Sequence, residues 1–263
     1  MTEETEQKML GLEDIREQID ETDRAILELL AQRSQLVSCV AEVKAQSGDS
    51  RILRPAREIV QMRHFLTWFK ERGLAMPVSG FSAIWREIIA ASVSQQTPLK
   101  VMHMSDTLTT ARERFGNAAD YVEVNHPDDA LGKLDAHANR IAVLPFKNSD
   151  WWQSLPEGMK IFGALPYLSP LSKGDVQSLC VGCIAIEPSG EDVTLLSCPK
   201  EDGPENDSAD DLAENKDAHI LASSDTHHLI MVDGFMNTDR IGDVVGSFGS
   251  LEIMDALLVG EKS

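Results

Sequence analysis

The sequence predicts a multidomain chain: an all-α segment of three helices over residues 1–98, followed by an α/β domain over residues 99–263. Three observations carry this. The stretch "IREQIDETDRAILELLAQRSQLVSCVAEVK", residues 15–44, has no proline or glycine and repeats its apolar residues at helical spacing. After Pro98 the texture changes to short β-rich runs that alternate with helical ones. At 263 residues the chain is long enough for two ordinary domains.

The first helix is expected from about Leu12 to Ala45. Its apolar positions are Leu12, Ile15, Ile19, Ile26, Leu29, Leu30, Leu36, Val37, Val40 and Val43, mostly three, four or seven apart. At ~1.5 Å per residue it would be roughly 50 Å long. Two short helices of its own chain cannot cover that length, so a dimer is expected. Ser47-Gly48-Asp49-Ser50 ends the helix. Pro55 opens the second, which runs through Ile59, Met62, Phe65, Leu66 and Phe69 until Gly73 stops it. Ser79 is the expected N-cap of the third, which runs through Phe81, Ile84, Trp85, Ile88, Ile89 and Val93 to Gln96, with Pro98 beyond.

Past Pro98, "KVMHM", "DTLTTARERFG", "YVEV", "PDDALGKLDA" and "RIAVLPF" read as βαβαβ, which implies parallel strands joined by crossover helices. Further strands are expected at "MKIFGALPYL", "SLCVGCIAI", "VTLLSC", "AHILASS" and "HHLIMVDGF". Residues 200–217 are acidic with almost no apolar side chains, and read as a solvated loop.

Net charge is −19, unevenly placed: −3 over residues 1–98 and −16 over residues 99–263. So acidic a chain should be repelled by nucleic acid and by anionic membranes. No run of about 18 apolar residues could span a membrane. The acidic N-terminus lacks a secretory h-region, so a cytoplasmic location is expected. Four scattered cysteines, Cys39, Cys180, Cys183 and Cys198, fit reduced thiols there.

Cations in the N-terminal third stand out against that background. Arg33 and Lys44 are eleven residues apart, so their directions differ by ~20° and their heights by ~16 Å. Together they could bracket a ligand with two carboxylates. Arg16 lies seventeen residues before Arg33, ~100° away and ~25 Å off. It cannot reach the same ligand from the same helix, so it would serve a second copy of the protein. Arg57 and Glu58 fall in the first turn of the second helix, and Ser92 and Gln96 share one face of the third. A pocket framed by Arg33, Lys44, Arg57, Glu58, Ser92 and Gln96 would bind a small dianion. It holds no Cys, His or Ser-His pair and no metal-ligand cluster, so no metal is expected and the site would act by positioning and electrostatics.

These residues resemble the all-helical chorismate mutase family over about residues 10–98. "IREQIDETDRAILELLAQRSQL" is similar to its helix-one signature, "RPARE" to its helix-two start and "IWREIIAASVSQQ" to its helix-three end. The resemblance implies an intertwined homodimer that converts chorismate to prephenate, without a cofactor, in phenylalanine and tyrosine biosynthesis. It assigns Arg16 (from the partner protomer), Arg33 and Arg57 to the ligand carboxylates, with Ser92 lining the carboxylate end. It assigns Lys44 and Gln96 to the ether oxygen and Glu58 to the ring hydroxyl. One departure concerns Arg54, where the family often has an acidic residue.

Residues 99–263 resemble a degenerate prephenate dehydratase domain. "AVLPFKNS" is similar to that family's PxENS stretch, with Lys147 in place of the glutamate. Ser178-Leu179-Cys180 stands where its Thr-Arg-Phe motif would lie. The expected Gly-rich segment and the Glu-Ser-Arg-Pro stretch are missing, so lost dehydratase chemistry is implied.

Other motifs weigh toward structure. Cys180 and Cys183 have CxxC spacing, but in a strand they would face opposite sides. His227 and His228 do the same. Trp151 and Trp152 suit a core or domain interface. The reading is therefore a chorismate mutase. The alternatives are an isochorismate pyruvate lyase on the same scaffold, a bifunctional mutase–dehydratase, or a non-catalytic binding protein.

Overall fold

The computed structural model describes residues 11–48, 53–134, 139–153, 155–166, 176–200, 218–236 and 243–249. The chain divides between Asp49 and Ser50 into two compact units. Of the expected acidic loop at 200–217, residues 201–217 lie outside the described residues.

The first unit contains α1, Leu12–Ser47. The Asp14 carboxylate accepts the Gly11 backbone N–H at 3.0 Å, satisfying a donor at the helix start. Gly48 closes the helix at φ 71°, a left-handed conformation that glycine adopts without a Cβ clash. The helix runs two residues past the expected Ala45. Most of its large apolar residues are exposed, among them Leu12 at 64%, Leu29 at 62% and Leu36 at 67%.

The second unit begins with α2, Pro55–Arg72, and α3, Val78–Gln96. Ile59, Met62, Leu66 and Phe69 pack against Val78 and Phe81, with Phe65 stacked on Trp85 at 4.2 Å between ring centres. The third helix starts two residues earlier than the sequence suggests. Pro77, not Ser79, is the N-cap, at φ −60° and ψ 138°. Val78 is then buried as the first helical residue, and Ser79 is exposed.

The remaining elements are β1 (Lys100–His103), α4 (Leu108–Phe115), β2 (Asp120–Glu123), α5 (Pro127–Leu131), β3 (Arg140–Pro145), a 3-10 turn at Trp151–Gln153, β4 (Lys160–Leu165), β5 (Ser178–Gly182), β6 (Asp192–Pro199), β7 (Ala218–Ser223), β8 (His227–Asp233) and β9 (Asp243–Gly249). The described strands form one sheet, in the order β2-β1-β3-β5-β4-β9-β6-β8-β7. The βαβαβ expectation holds for β1, β2 and β3, which pair in parallel. Beyond β3 the sheet is mixed: β3–β5, β4–β5, β6–β8, β6–β9 and β7–β8 are antiparallel, and β4–β9 is parallel.

The sheet is covered on both faces around β3. Ala142 and Leu144 join one cluster with Trp151, Trp152 and Leu131, while Ile141 and Val143 join another with Ala111 and Phe115 of α4. This alternation is the period of two along a strand. Leu53, just before α2, and Val93, near the end of α3, belong to the second cluster. The first turn of α2 and the last turn of α3 thus converge on α4, and share a core with the sheet. No helix among the described residues is long and apolar enough to cross a membrane.

Candidate active site

The expected site residues fall in both units. In the first, Arg33 and Lys44 are half-buried, as are Val37 and Ala41 between them. Spacings of four, four and three residues put these positions on one line along α1. Partial burial pulls the Arg33 guanidinium below its ordinary pKa, because desolvation disfavours its charge. Arg16 is exposed near the start of the helix.

In the second unit, Arg57 is exposed in the first turn of α2. Its neighbour Glu58 points into the unit and meets Arg114 of α4, with Nη2 donating to Oε2 at 2.6 Å. The Arg114 and Glu58 side chains are 10% and 12% exposed. Arg54 stands at the N-cap of α2 and pairs with Glu187 at 3.4 Å, so the cation that departs from the family pattern is directed at the loop before β6.

On α3, Ser92 and Gln96 share a face as their spacing requires. Ser92 Oγ donates to the Ile88 carbonyl at 2.7 Å, and Gln96 Nε2 donates to the Ser92 carbonyl at 3.1 Å. Both side chains are half-buried.

Two further cations emerge only from the fold. Arg63 is buried on α2 and donates to the carbonyls of Ser189 at 2.8 Å and Glu191 at 2.6 Å. Arg114 lies inside a segment expected to be a crossover helix. The available signal is its position, three residues after the buried Ala111 and one before the buried Phe115, which puts Arg114 beside the packed face.

The motifs that weigh toward structure are built into the fold. Cys180 packs into the cluster beneath α4 and Cys183 against the opposite one. Burial pushes the Cys180 thiol up to about 12. His228 Nδ1 lies 2.8 Å from Ser223 Oγ, and His227 Nδ1 lies 2.9 Å from Thr226 Oγ1. Trp151 and Trp152 are buried, and their indole N–H groups donate to the carbonyls of Pro145 and Ser149 at 2.7 and 2.8 Å. Among the described residues, no group of three or more His, Cys, Asp or Glu is placed to hold a metal ion.

Residues 15–97 match the family model of chorismate mutase type II. The chain is 28% identical over 146 residues to a bifunctional chorismate mutase/prephenate dehydratase from Pseudomonas aeruginosa, covering 52% of this chain and 39% of that protein. It is 30% identical over 146 residues to the protein of the same name from Aquifex aeolicus, covering 54% and 40%. The chain therefore spans about two fifths of the length of these curated relatives, and each alignment is longer than the helical segment. Among solved structures, it is similar to the quorum quenching acylase GqqA with TM-score 0.37 and 10% identity, covering 59% of this chain and 96% of that one. It is also similar to the prephenate dehydratase from Streptococcus mutans with TM-score 0.33 and 13% identity, covering 57% and 97%.

Proposed function

From the chorismate mutase type II domain that residues 15–97 carry, we propose that this chain rearranges chorismate to prephenate. That match supports the reading most directly, because it spans every residue the sequence assigns to ligand binding. The alignment of Arg33 with Lys44 on α1, and of Ser92 with Gln96 on α3, is consistent with it.

The chemistry asks little of a protein beyond position and charge. Chorismate is an allyl vinyl ether dicarboxylate that rearranges within one molecule, without proton transfer. Arg33 and Arg57, with Arg16 from a partner protomer, hold the carboxylates and select the compact reactive conformer. As the C–O bond breaks, negative charge grows on the ether oxygen. Lys44 and Gln96 donate to that oxygen, so their hydrogen bonds strengthen in the transition state and lower the barrier. Glu58 accepts from the ring hydroxyl, and Ser92 contributes at the carboxylate end. The exposed apolar residues of α1 suit a second copy of the chain, which would bring Arg16 to its site.

A bifunctional reading is favoured by one observation: the alignments to the bifunctional relatives run past the helical segment. Ser178-Leu179-Cys180 at the position of the dehydratase motif argues against it.

The test is direct. Chorismate is added to the purified chain, its absorbance is followed, and the product is identified before and after mild acid. Prephenate that becomes phenylpyruvate only on acid treatment is expected. Phenylpyruvate without acid would establish the bifunctional reading. Absence of turnover would overturn the mutase assignment, and pyruvate release from isochorismate would replace it with the lyase.

A further inference from the structure

Glu58 and Arg114 come from different parts of the sequence, the first turn of α2 and the last turn of α4. Their contact is short, largely shielded from solvent and backed by packed side chains. Arg114 Nη2 donates to Glu58 Oε2 at 2.6 Å. The guanidinium lies 5.1 Å from the centre of the Phe115 ring, and Phe115 is buried in the core that also holds Leu53 and Val93. The two ends of the α2–α3 pair that carry Glu58 and Gln96 are therefore anchored on the helix that supplies Arg114.

We propose that Arg114 is a positioning residue for the mutase reaction: it fixes the Glu58 carboxylate so that the ring hydroxyl of the substrate meets a preset acceptor. This rests on the mutase reading above. The ion pair engages Oε2, and a carboxylate keeps lone pairs on its second oxygen for a neutral hydroxyl donor. A charge-assisted hydrogen bond of this length constrains the side-chain torsions, so less ordering remains to be done when substrate binds. The α/β domain would then take part in the mutase site, through one guanidinium.

The experiment uses the full chain with R114M, R114K, E58Q and the E58Q/R114M double variant. Steady-state kinetics are measured on chorismate and on the same allyl vinyl ether lacking the ring hydroxyl. The hydroxyl-free analogue keeps every reacting atom but gives Glu58 nothing to accept. On chorismate, R114M should raise KM by about tenfold with a smaller change in kcat, as for loss of one charged hydrogen bond. R114K should restore most of that loss. On the analogue, R114M and the native chain should have equal KM, and R114M should add nothing in the E58Q background.

Equal losses on both substrates would make Arg114 a purely structural residue and overturn the proposal, as would an R114M chain that matches the native one on chorismate. If R114M does not fold, the double variant, which removes both charges together, decides by the same comparison with E58Q. A native chain inert toward chorismate would overturn the mutase reading and this inference with it, whereas native turnover with an indifferent R114M would overturn this inference alone.

Discussion

Arg63 on α2 is 8% exposed and directs its guanidinium at backbone oxygens of the turn before β6, donating to Ser189 at 2.8 Å and Glu191 at 2.6 Å. Its Nε also lies 3.6 Å from the Glu191 carboxylate. The same turn is closed by Asp192, which accepts the N–H groups of Ser189 and Gly190 at 2.8 and 3.0 Å. A cation from the helical segment thus satisfies carbonyls of the sheet domain. Arg63→Ala leaves those carbonyls without that donor, and should lower unfolding free energy by about 3 kcal/mol. Urea denaturation of the full chain measures it, and a change under about 0.5 kcal/mol would show an ordinary surface cation.

The shared core makes a second prediction. A chain ending at residue 98 keeps Leu53 and Val93 but removes Ala111, Phe115 and Phe162 from around them. It also removes the partners of Glu58 and Arg63. Such a fragment should lose the cooperative thermal transition of the full chain, as followed by circular dichroism. An equally sharp transition at the same temperature would show that α2 and α3 stand without the sheet.

Gly116 is a tight point between α3 and α4. It sits at φ 67°, where side chains are strained. A Cβ there would lie 2.7 Å from the Ala90 Cβ and 2.9 Å from Glu87 Oε2, and Glu87 already accepts the Asn117 N–H at 3.1 Å. Gly116→Ala should cost about 2–4 kcal/mol, strain and overpacking together. A melting temperature unchanged from the native chain would refute this.

The helices are legible in the sequence because apolar spacing, Pro55, Gly48 and Gly73 all point the same way. The strands β4 to β8 are legible as apolar runs between polar breaks. β9 is not: "DVVGSFG" carries two glycines, which weaken the strand signal, although Gly246 lets β9 approach Ile161 of β4. The alignment of Arg33 with Lys44 and of Ser92 with Gln96 follows from helix geometry, so residue spacing alone reveals it. The pairing of Glu58 with Arg114 does not follow from spacing. The two lie 56 residues apart, and only tertiary packing decides which cation a carboxylate meets.

Burial also sets an alkaline limit. The Cys180 thiol is pushed up to about 12, and desolvation carries Tyr121 up to about 12 as well, against the nearby Arg112 charge. Both folded-state values lie above those of the unfolded chain. The unfolded chain therefore releases these protons first, and stability falls as pH rises from about 9 toward 12. For the fully buried Cys180 the slope approaches about 1.4 kcal/mol per pH unit. The same burial should leave Cys180 unlabelled by a thiol reagent at about pH 8 in the folded protein, while exposed Cys39 reacts quickly. Peptide mass mapping tells them apart, and prompt labelling of Cys180 would contradict its place under α4.

The last prediction separates the two halves of the proposed chemistry. On the proposed reading, Lys44→Ala or Gln96→Ala would each remove a donor to the ether oxygen, and should lower kcat by on the order of 100- to 1,000-fold. Neither substitution should cost much stability, since both side chains are only half-buried at helix ends. Arg16→Ala should also be inactive, for a different reason: Arg16 lies seventeen residues before Arg33 on α1 and would serve the partner's site. Mixing unfolded Arg16→Ala and Lys44→Ala chains and refolding them together should therefore regenerate activity, because a heterodimer can assemble one site from native residues alone. The recovered rate should approach about a quarter of the native rate per mixed sample, since about half of random dimers are mixed and each holds one intact site of two. Mixed dimers that form but stay inactive would place Arg16 in the same site as Lys44, or in none.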